Sequence, residues 1–235
     1  LAHAGELKGR LGEASALGAI GGKPVLWIAG GEAMICVEDK GGAFETVETA
    51  FQPRPDAQLD WSRLAVDPER DEVYVNNGTS LTYRYDGNTG EGGLLRKGGK
   101  TFYCVDIAVG YEGLLYMRTG NSFSGPLERY TRGLEPAPFA TGSHVLYDIY
   151  NRMGIGFSDR GVGAGPKGEC YISYMYGWNK YFVAGFGSDG RALKGKYLEG
   201  KIKEPDAKSP LAKWPKDRWV TTAVVGPVPM EGGGI

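Results

Sequence analysis

The sequence contains an internal repeat of about 43 residues, and this repeat constrains the fold more than any other feature. The apolar-Ala-Val segment at residues 64–67 recurs 43 residues later at 107–110. An apolar triplet centred on a tyrosine follows each copy, and a third copy places its tyrosine in Cys-Tyr-Ile. We therefore predict that Tyr74, Tyr116 and Tyr171 occupy equivalent positions in successive structural units.

Each copy of the repeat has the pattern of four short strands. Residues 81–85 alternate between apolar and polar side chains, which is typical of a strand with one wetter face. Asn76-Asn77-Gly78 before them is a hairpin-turn signal, and 39 glycines in 235 residues suit many tight turns. Four strands in 40–45 residues is the period of a propeller blade. The sequence predicts an all-β fold, a β-propeller of four-stranded antiparallel blades.

The repeat also predicts where the blades begin and end. The third unit is longer than the others, and its extra residues form an inserted loop around 134–160. The segment that follows the last unit is rich in lysine and proline and is expected to be a connector with a partial blade. Because the chain stops where another blade would start, we expect a partial ring, completed by further residues or by another chain. The predicted blades are 16–59, 60–103, 104–155 and 156–200, with the connector and partial blade at 201–235.

Residues 62–95 resemble a repeat of the NHL-type propellers, within the six-bladed β-propeller superfamily. The resemblance lies in the Leu-Ala-Val-Asp inner strand, the Val-Tyr-Val strand and the strand that ends in Tyr85-Asp86-Gly87. Residues 107–133 and 162–193 resemble the same pattern more loosely. The resemblance implies a propeller, and related propellers include scaffolds, carbohydrate or peptide binders, lactonases and lyases. A fold of this kind does not by itself select one function.

Composition limits the partners. The formal net charge is -1, which gives no electrostatic reason to expect nucleic acid. No stretch reaches 18 consecutive apolar residues, so no membrane-spanning helix is predicted. The chain begins at Leu1 rather than Met, and a leader removed by processing would favour an extracellular or periplasmic location. Cys36, Cys104 and Cys170 each lie in an apolar run and are predicted to be buried free thiols.

Several short motifs have a simpler interpretation as blade turns. Two Gly-x-Gly-x-x-Gly sequences, at 163–168 and 185–190, match the dinucleotide fingerprint, but a strand pattern rather than a helix follows the first. Residues 86–91 resemble the start of a calcium loop, but Lys97 stands where the bidentate glutamate is needed, so a hairpin turn is favoured. With only His3 and His144 present, a three-histidine zinc site cannot form within this chain.

Two loops carry the candidate binding residues. The inserted loop concentrates histidine, carboxylate and guanidinium groups, and loops that exceed a repeat are common places for binding residues. A hairpin tip in the fourth unit presents aromatic rings that can stack on sugars or fill an interface pocket. The predicted binding residues are His144, Asp148, Arg152, Asp159, Arg160, Tyr176 and Trp178.

The function predicted from these features is that of a non-enzymatic binding or assembly module without a cofactor. Its expected partners are another protein or further propeller blades, and carbohydrate is a further candidate. The alternative is a metal-dependent propeller enzyme of the lactonase or lyase type, with calcium at the central channel. Its metal ligands would be drawn from Asp67, Asp106, Asp148, Asp159 and Asp189.

Overall fold

The computed structural model describes residues 14–30, 33–47, 63–76, 80–120, 126–146, 162–175 and 181–191. All regular secondary structure in these ranges is β, and none of them contains a helix. It follows that the part of the chain described here holds no helix with the length and apolar character of a membrane span. The chain divides into two compact units, Leu1–Cys104 and Val105–Ile235.

The first unit begins with an antiparallel sheet of four consecutive strands. Gly21 and Gly22 both have positive φ, at 56° and 77°, and form the two-residue turn that joins the first pair of strands. The strands of this first sheet are β1 (Ala14–Ile20), β2 (Lys23–Gly30), β3 (Ala33–Asp39) and β4 (Phe44–Val47).

The second sheet repeats this topology. Buried and exposed residues alternate in its third strand, where Tyr83 and Tyr85 are buried and Arg84 is exposed, as the sequence pattern predicts. Its strands are β5 (Arg63–Asp67), β6 (Glu72–Asn76), β7 (Thr82–Asp86) and β8 (Gly92–Leu94), and a two-stranded hairpin, β9 (Arg96–Lys97) and β10 (Lys100–Thr101), follows them.

The first and second sheets pack face to face around one apolar cluster. Trp27 is fully buried at its centre, with Cys36 beside it and Val66 and Val73 contributed by the second sheet. Gly18 is required where the sheets approach, because a Cβ atom there would lie 2.3 Å from Cγ1 of Val66. The sheets therefore come closer together than any other residue at this position would allow.

Buried polar side chains of the second sheet hydrogen-bond to the segment that follows the sheet in the chain. The side-chain amide of Asn76 donates hydrogen bonds to the carbonyl oxygens of Leu81 (3.1 Å) and Cys104 (2.8 Å). The hydroxyl of Thr82 donates to the same Cys104 oxygen at 3.0 Å, and Cys104 N–H donates to the Ser80 carbonyl at 2.9 Å. Both side chains are fully buried, so these bonds satisfy groups that water cannot reach.

The second unit contains a four-stranded sheet and a further sheet with three described strands. The third sheet consists of β11 (Cys104–Val109), β12 (Leu115–Thr119), β13 (Leu127–Tyr130) and β14 (Val145–Leu146). The described strands of the fourth sheet are β15 (Val162–Ala164), β16 (Cys170–Met175) and β17 (Tyr181–Phe186).

Asp106 links the first strands of these two sheets. It is buried in β11, and its Oδ2 accepts a hydrogen bond from the N–H of Val162 at 3.1 Å, where β15 begins. Its Oδ1 accepts from the N–H of Ile107 at 2.8 Å. Both carboxylate oxygens therefore contribute to holding the inner strands in place.

Arg129, a buried residue of β13, contacts two further segments of the second unit. Its guanidinium donates hydrogen bonds to the carbonyl oxygens of Ala137 (3.0 Å), Pro138 (2.5 Å) and Ser188 (3.2 Å). It also lies 3.9 Å from the centre of the Phe139 ring, a cation–π contact. A single side chain thus ties the loop after β13 and the turn after β17 to the third sheet.

The fold class predicted from the repeat is confirmed: the regular structure of the described residues is all-β, and three of their sheets are four-stranded and antiparallel, with the strand order of propeller blades. Tyr74, Tyr116 and Tyr171 each lie in the second strand of their sheet and are buried, as the repeat predicts. That all 235 residues form one propeller with the stated blade limits, and that its ring is partial, stay predictions. The predicted connector and partial blade at 201–235 lie outside the described residues.

The repeat did not predict the β9–β10 hairpin. Gly98 and Gly99 have positive φ, at 57° and 77°, and form a two-residue turn like that between β1 and β2. Strands of two residues, Arg96–Lys97 and Lys100–Thr101, are too short and too polar for an alternating pattern to be recognised.

The three cysteines are free and buried, which confirms the sequence prediction.

We expect a disulfide-exchange reagent at pH 8 to leave all three unmodified in the native protein and to modify three thiols per chain in urea. Burial raises the pKa of Cys36 to about 11 and also raises the pKa of Cys170. The neutral Cys36 thiol therefore contributes stability that is fully present below pH about 8.5 and is lost as pH rises through about 11. Rapid stoichiometric labelling of the native protein would contradict the expectation.

The link through Arg129 can be tested by substitution. Arg129→Met keeps an unbranched apolar chain but removes three part-buried hydrogen bonds and the cation–π contact with Phe139, so we expect a loss of about 2 kcal/mol in the free energy of unfolding. Arg191→Met, at an exposed position in the turn after β17, should change it by no more than about 0.5 kcal/mol. Urea unfolding of the full chain measures both, and equal effects would show that Arg129 is not a structural link.

Candidate functional site

One of the predicted binding residues, His144, lies within the described residues. It is partly exposed and lies immediately before β14 in the third sheet. The other predicted binding residues lie outside the described ranges, so their prediction stays untested: Asp148, Arg152, Asp159, Arg160, Tyr176 and Trp178. The hairpin expected to carry Tyr176 and Trp178 is present, because β16 and β17 pair antiparallel from Cys170↔Phe186 to Met175↔Tyr181.

His144 belongs to a small polar cluster centred on Glu128. The carboxylate of Glu128 accepts hydrogen bonds from the hydroxyl of Tyr130, at 2.7 Å, and from the hydroxyl of Thr119. The Nε2 atom of His144 lies 4.0 Å from the other carboxylate oxygen. The imidazole also contacts the Tyr130 ring edge to face, with ring centres 5.5 Å apart.

Strand alternation explains why these groups meet. Glu128 and Tyr130 are two residues apart in β13, so their side chains leave the sheet on the same face, opposite to that of Arg129. The Tyr130 and Thr119 hydroxyls hold the Glu128 carboxylate by hydrogen bonds. His144 is farther from it, with its Nε2 atom 4.0 Å from the carboxylate. His144 was predicted from the sequence but Glu128 was not, because a single glutamate in an alternating strand gives no signal of its partners.

The carboxylates proposed as metal ligands are engaged with the backbone where the structure describes them. Asp67 is fully buried, and its Oδ1 accepts a hydrogen bond from the N–H of Glu69 at 3.1 Å. Asp189 Oδ1 accepts from the N–H of Arg191 at 2.9 Å, and Asp106 holds β11 and β15 as described. Among the described residues, no three His, Cys, Asp or Glu side chains are grouped as a metal would require. Asp148 and Asp159 lie outside those residues, so the metal-dependent alternative stays a prediction.

The motifs assigned to turns do form turns. Asp86 Oδ1 accepts the N–H groups of Thr89 and Asn88, each at 2.8 Å, and these bonds lower the pKa of its carboxyl. The N–H of Asp86 donates to the Glu91 carbonyl at 2.8 Å, which closes the hairpin between β7 and β8. The glycine motif at 163–168 spans the turn between β15 and β16, with a strand after it as expected.

The larger candidate site is a cleft on the second sheet, which the sequence analysis did not predict. Its volume is about 630 Å³, and the backbone of β8 forms part of its wall. We call it the second-sheet cleft. Its charged lining consists of Arg70, Arg84, Arg96, Glu72, Asp86 and Glu91.

The strand register accounts for the charged wall of the second-sheet cleft. Arg84 in the middle of β7 is paired with Tyr74 on β6 and with Gly93 on β8. Because Gly93 has no side chain, the face of the sheet is open beside Arg84. Glu72, one row along, accepts a hydrogen bond from the Tyr74 hydroxyl at 2.8 Å. Burial, together with this bond, raises the pKa of Tyr74, so its hydroxyl stays protonated.

A signal for the second-sheet cleft was present in the sequence. The exposed position in Tyr83-Arg84-Tyr85 carries a long cation, and the next strand begins with Gly92-Gly93. Recognising the cleft requires knowing that Arg84 and Gly93 are opposite each other. Only the register of the β7–β8 hairpin supplies this information.

The Glu128 cluster makes a prediction about stability. Glu128→Gln removes the charge and one acceptor oxygen while two hydroxyls still need partners, so we expect a loss of about 1.5 kcal/mol in the free energy of unfolding. His144→Ala should cost less than about 1 kcal/mol, because its contact with Glu128 is long and partly exposed. Glu45→Gln, at an exposed position on β4, serves as the control. A greater loss for His144→Ala than for Glu128→Gln would contradict this account.

Comparison with known proteins leaves the family open. No family model matches the chain, and no curated protein matches it by sequence. A solved structure described as a GH43 β-1,3-galactosidase matches with a TM-score of 0.44 and 11% sequence identity, over 75% of this chain and 43% of that chain. The present chain thus spans less than half of that neighbour. The NHL-type assignment stays a prediction.

Proposed function

We propose that this chain is a propeller-type binding module that holds a polar segment of a protein partner in the second-sheet cleft. The observation that carries the proposal is the open cleft with arginine and carboxylate groups on its wall.

The size and lining of the second-sheet cleft support a peptide-like ligand. Its volume of about 630 Å³ falls within the range of about 300 to 1,000 Å³ that is usual for ligand sites. Small-molecule sites are lined mostly by apolar and aromatic side chains, whereas this wall is largely charged. Arginine is enriched at the centres of protein interfaces, where its planar guanidinium binds carboxylates and carbonyl groups.

The balance of charge in the second-sheet cleft favours a segment rather than a simple ion. Three arginines and three carboxylates line one cavity, and two of the carboxylates, Glu72 and Asp86, already accept hydrogen bonds within the sheet. A partner that offers both backbone groups and a carboxylate matches this surface. Carbohydrate bound by Tyr176 and Trp178, and metal-dependent catalysis, are the competing outcomes of the experiment below.

Filling the second-sheet cleft tests the proposed function. Gly93→Tyr places a large strand-forming side chain on the cleft face, and Thr46→Tyr introduces the same side chain at an exposed position of an outer strand in the first sheet. Linear peptides selected on the wild-type chain from a random displayed library should bind Gly93→Tyr at least tenfold more weakly and Thr46→Tyr with unchanged affinity.

Three results would contradict the proposed function. The first is that the selected peptides bind Gly93→Tyr as tightly as they bind the wild type. The second is that an oligosaccharide array gives the only specific ligands, and the third is that added calcium produces lactone hydrolysis. Thermal unfolding of both tyrosine variants verifies that each is folded before binding is compared.

A further inference from the structure

We propose that the second-sheet cleft binds its partner by β-strand addition: an extended peptide pairs with the outer edge of β8 and places an acidic side chain opposite Gly93. This inference rests on the proposed function and names the ligand of the same cleft. It follows from the hydrogen-bond register of β8, from the space beside it and from the position of Arg84.

The register directs four backbone groups of β8 away from its own sheet. Leu95 N–H donates to the Thr82 carbonyl, and Asp86 N–H donates to the Glu91 carbonyl, each at 2.8 Å. Hydrogen-bonded pairs alternate along an antiparallel ladder, so Arg84 and Gly93 form the hydrogen-bonded pair between these two. The intervening residues, Gly92 and Leu94, therefore direct their N–H and C=O groups toward the open edge.

The second-sheet cleft extends over the face of the sheet and reaches this edge. Gly92, Gly93 and Leu94 all line it, and β8 is the last strand of its sheet. Within the described ranges, no other strand pairs with β8 on its outer side. Outward N–H and C=O groups at every second residue form the template that an added strand requires.

The close approach of β7 requires glycine at position 92. A Cβ atom at this position would lie 2.1 Å from the carbonyl oxygen of Arg84 and 2.7 Å from Cα of Tyr85. No side chain can occupy the start of β8 without moving the neighbouring strand. An incoming backbone can therefore approach the N–H and C=O groups of Gly92 without meeting a side chain of that residue.

The position of Arg84 specifies an acidic residue in the added strand. The residue opposite Gly93 would project its side chain to the face that carries Arg84. The Cα–Cα distance is about 5.5 Å in a hydrogen-bonded antiparallel pair and about 4.5 Å in a non-hydrogen-bonded pair. Their sum places the Cα of the peptide residue about 10 Å from the Cα of Arg84. Gly93 places no side chain between them, so an arginine and a glutamate can meet above it.

A second arginine of the cleft lies near the end of β8. Arg96 lies two residues beyond β8, is exposed and lines the second-sheet cleft, and its guanidinium also donates a hydrogen bond to the Gly99 carbonyl at 3.1 Å. The lining carboxylates are those of Glu72, Asp86 and Glu91, and the first two accept hydrogen bonds from Tyr74 and from the Asn88 and Thr89 N–H groups. Arginine groups thus lie both across from β8 and beyond its end. A three-residue edge gives few hydrogen bonds, so binding should be weak and reversible.

The experiment measures fluorescence anisotropy of a labelled peptide, Thr-Val-Thr-Glu-Thr-Val-Thr, with the full chain. A second peptide has lysine in place of the central glutamate. We expect the glutamate peptide to bind at least tenfold more tightly than the lysine peptide. Arg84→Glu should reverse this preference, Arg84→Gln should remove it, and Lys23→Glu, at an exposed position on β2, should leave it unchanged.

N-methylation of the peptide tests the strand pairing without altering the protein. Methyl groups on alternate residues block one edge of the peptide, and methyl groups on the remaining residues block the other. One set should abolish binding, and the other should change the affinity less than twofold. Equal effects of the two sets, or equal binding of the glutamate and lysine peptides, would overturn the inference.

The two proposals can fail separately. If peptides selected from the random library still lose affinity for Gly93→Tyr while the N-methyl sets act equally, the cleft binds peptides but not by strand addition. If Gly93→Tyr has no effect on any selected peptide, the proposed function fails and strand addition fails with it.

Discussion

Every four-stranded sheet in this protein has two faces to cover, and that requirement shapes the rest of the structure. A blade alone cannot bury both faces, so the sheets within each unit stack against each other. In the first unit, Trp27 and its apolar neighbours fill the contact, and the absence of a side chain at Gly18 lets the backbones approach. In the second unit, Tyr116, Phe139 and the strands of the fourth sheet form the corresponding cluster.

Polar groups secure the stack where apolar side chains cannot. The side chain of Asn76 anchors the chain at Cys104, the Asp106 carboxylate joins two inner strands, and the Arg129 guanidinium collects three carbonyl groups from two loops. Each is a buried group that makes several hydrogen bonds. Such links are directional, so they fix how neighbouring segments meet, whereas hydrophobic contact alone only favours proximity.

The sequence was informative where the signal is periodic. The repeat of about 43 residues predicted the fold class, the place of three tyrosines in the second strands of their sheets and the turns at residues 86–91 and 163–168. It missed the β9–β10 hairpin, whose strands are too short for periodicity, and it missed the second-sheet cleft. The cleft depends on Arg84 and Gly93 being opposite each other, and the Glu128 cluster depends on β12 and β13 meeting in one register. The sequence of a single strand does not determine which residues of the next strand lie opposite it.

The position of Gly92 has a consequence for how this surface can vary among related chains. Closing a cleft by mutation usually needs only one larger residue on its wall. At Gly92, the carbonyl of Arg84 occupies the place of any new Cβ atom, so a substitution would break the β7–β8 hairpin before it could fill the cavity. The opening at the start of β8 is therefore preserved by the geometry of the hairpin itself, independently of any ligand.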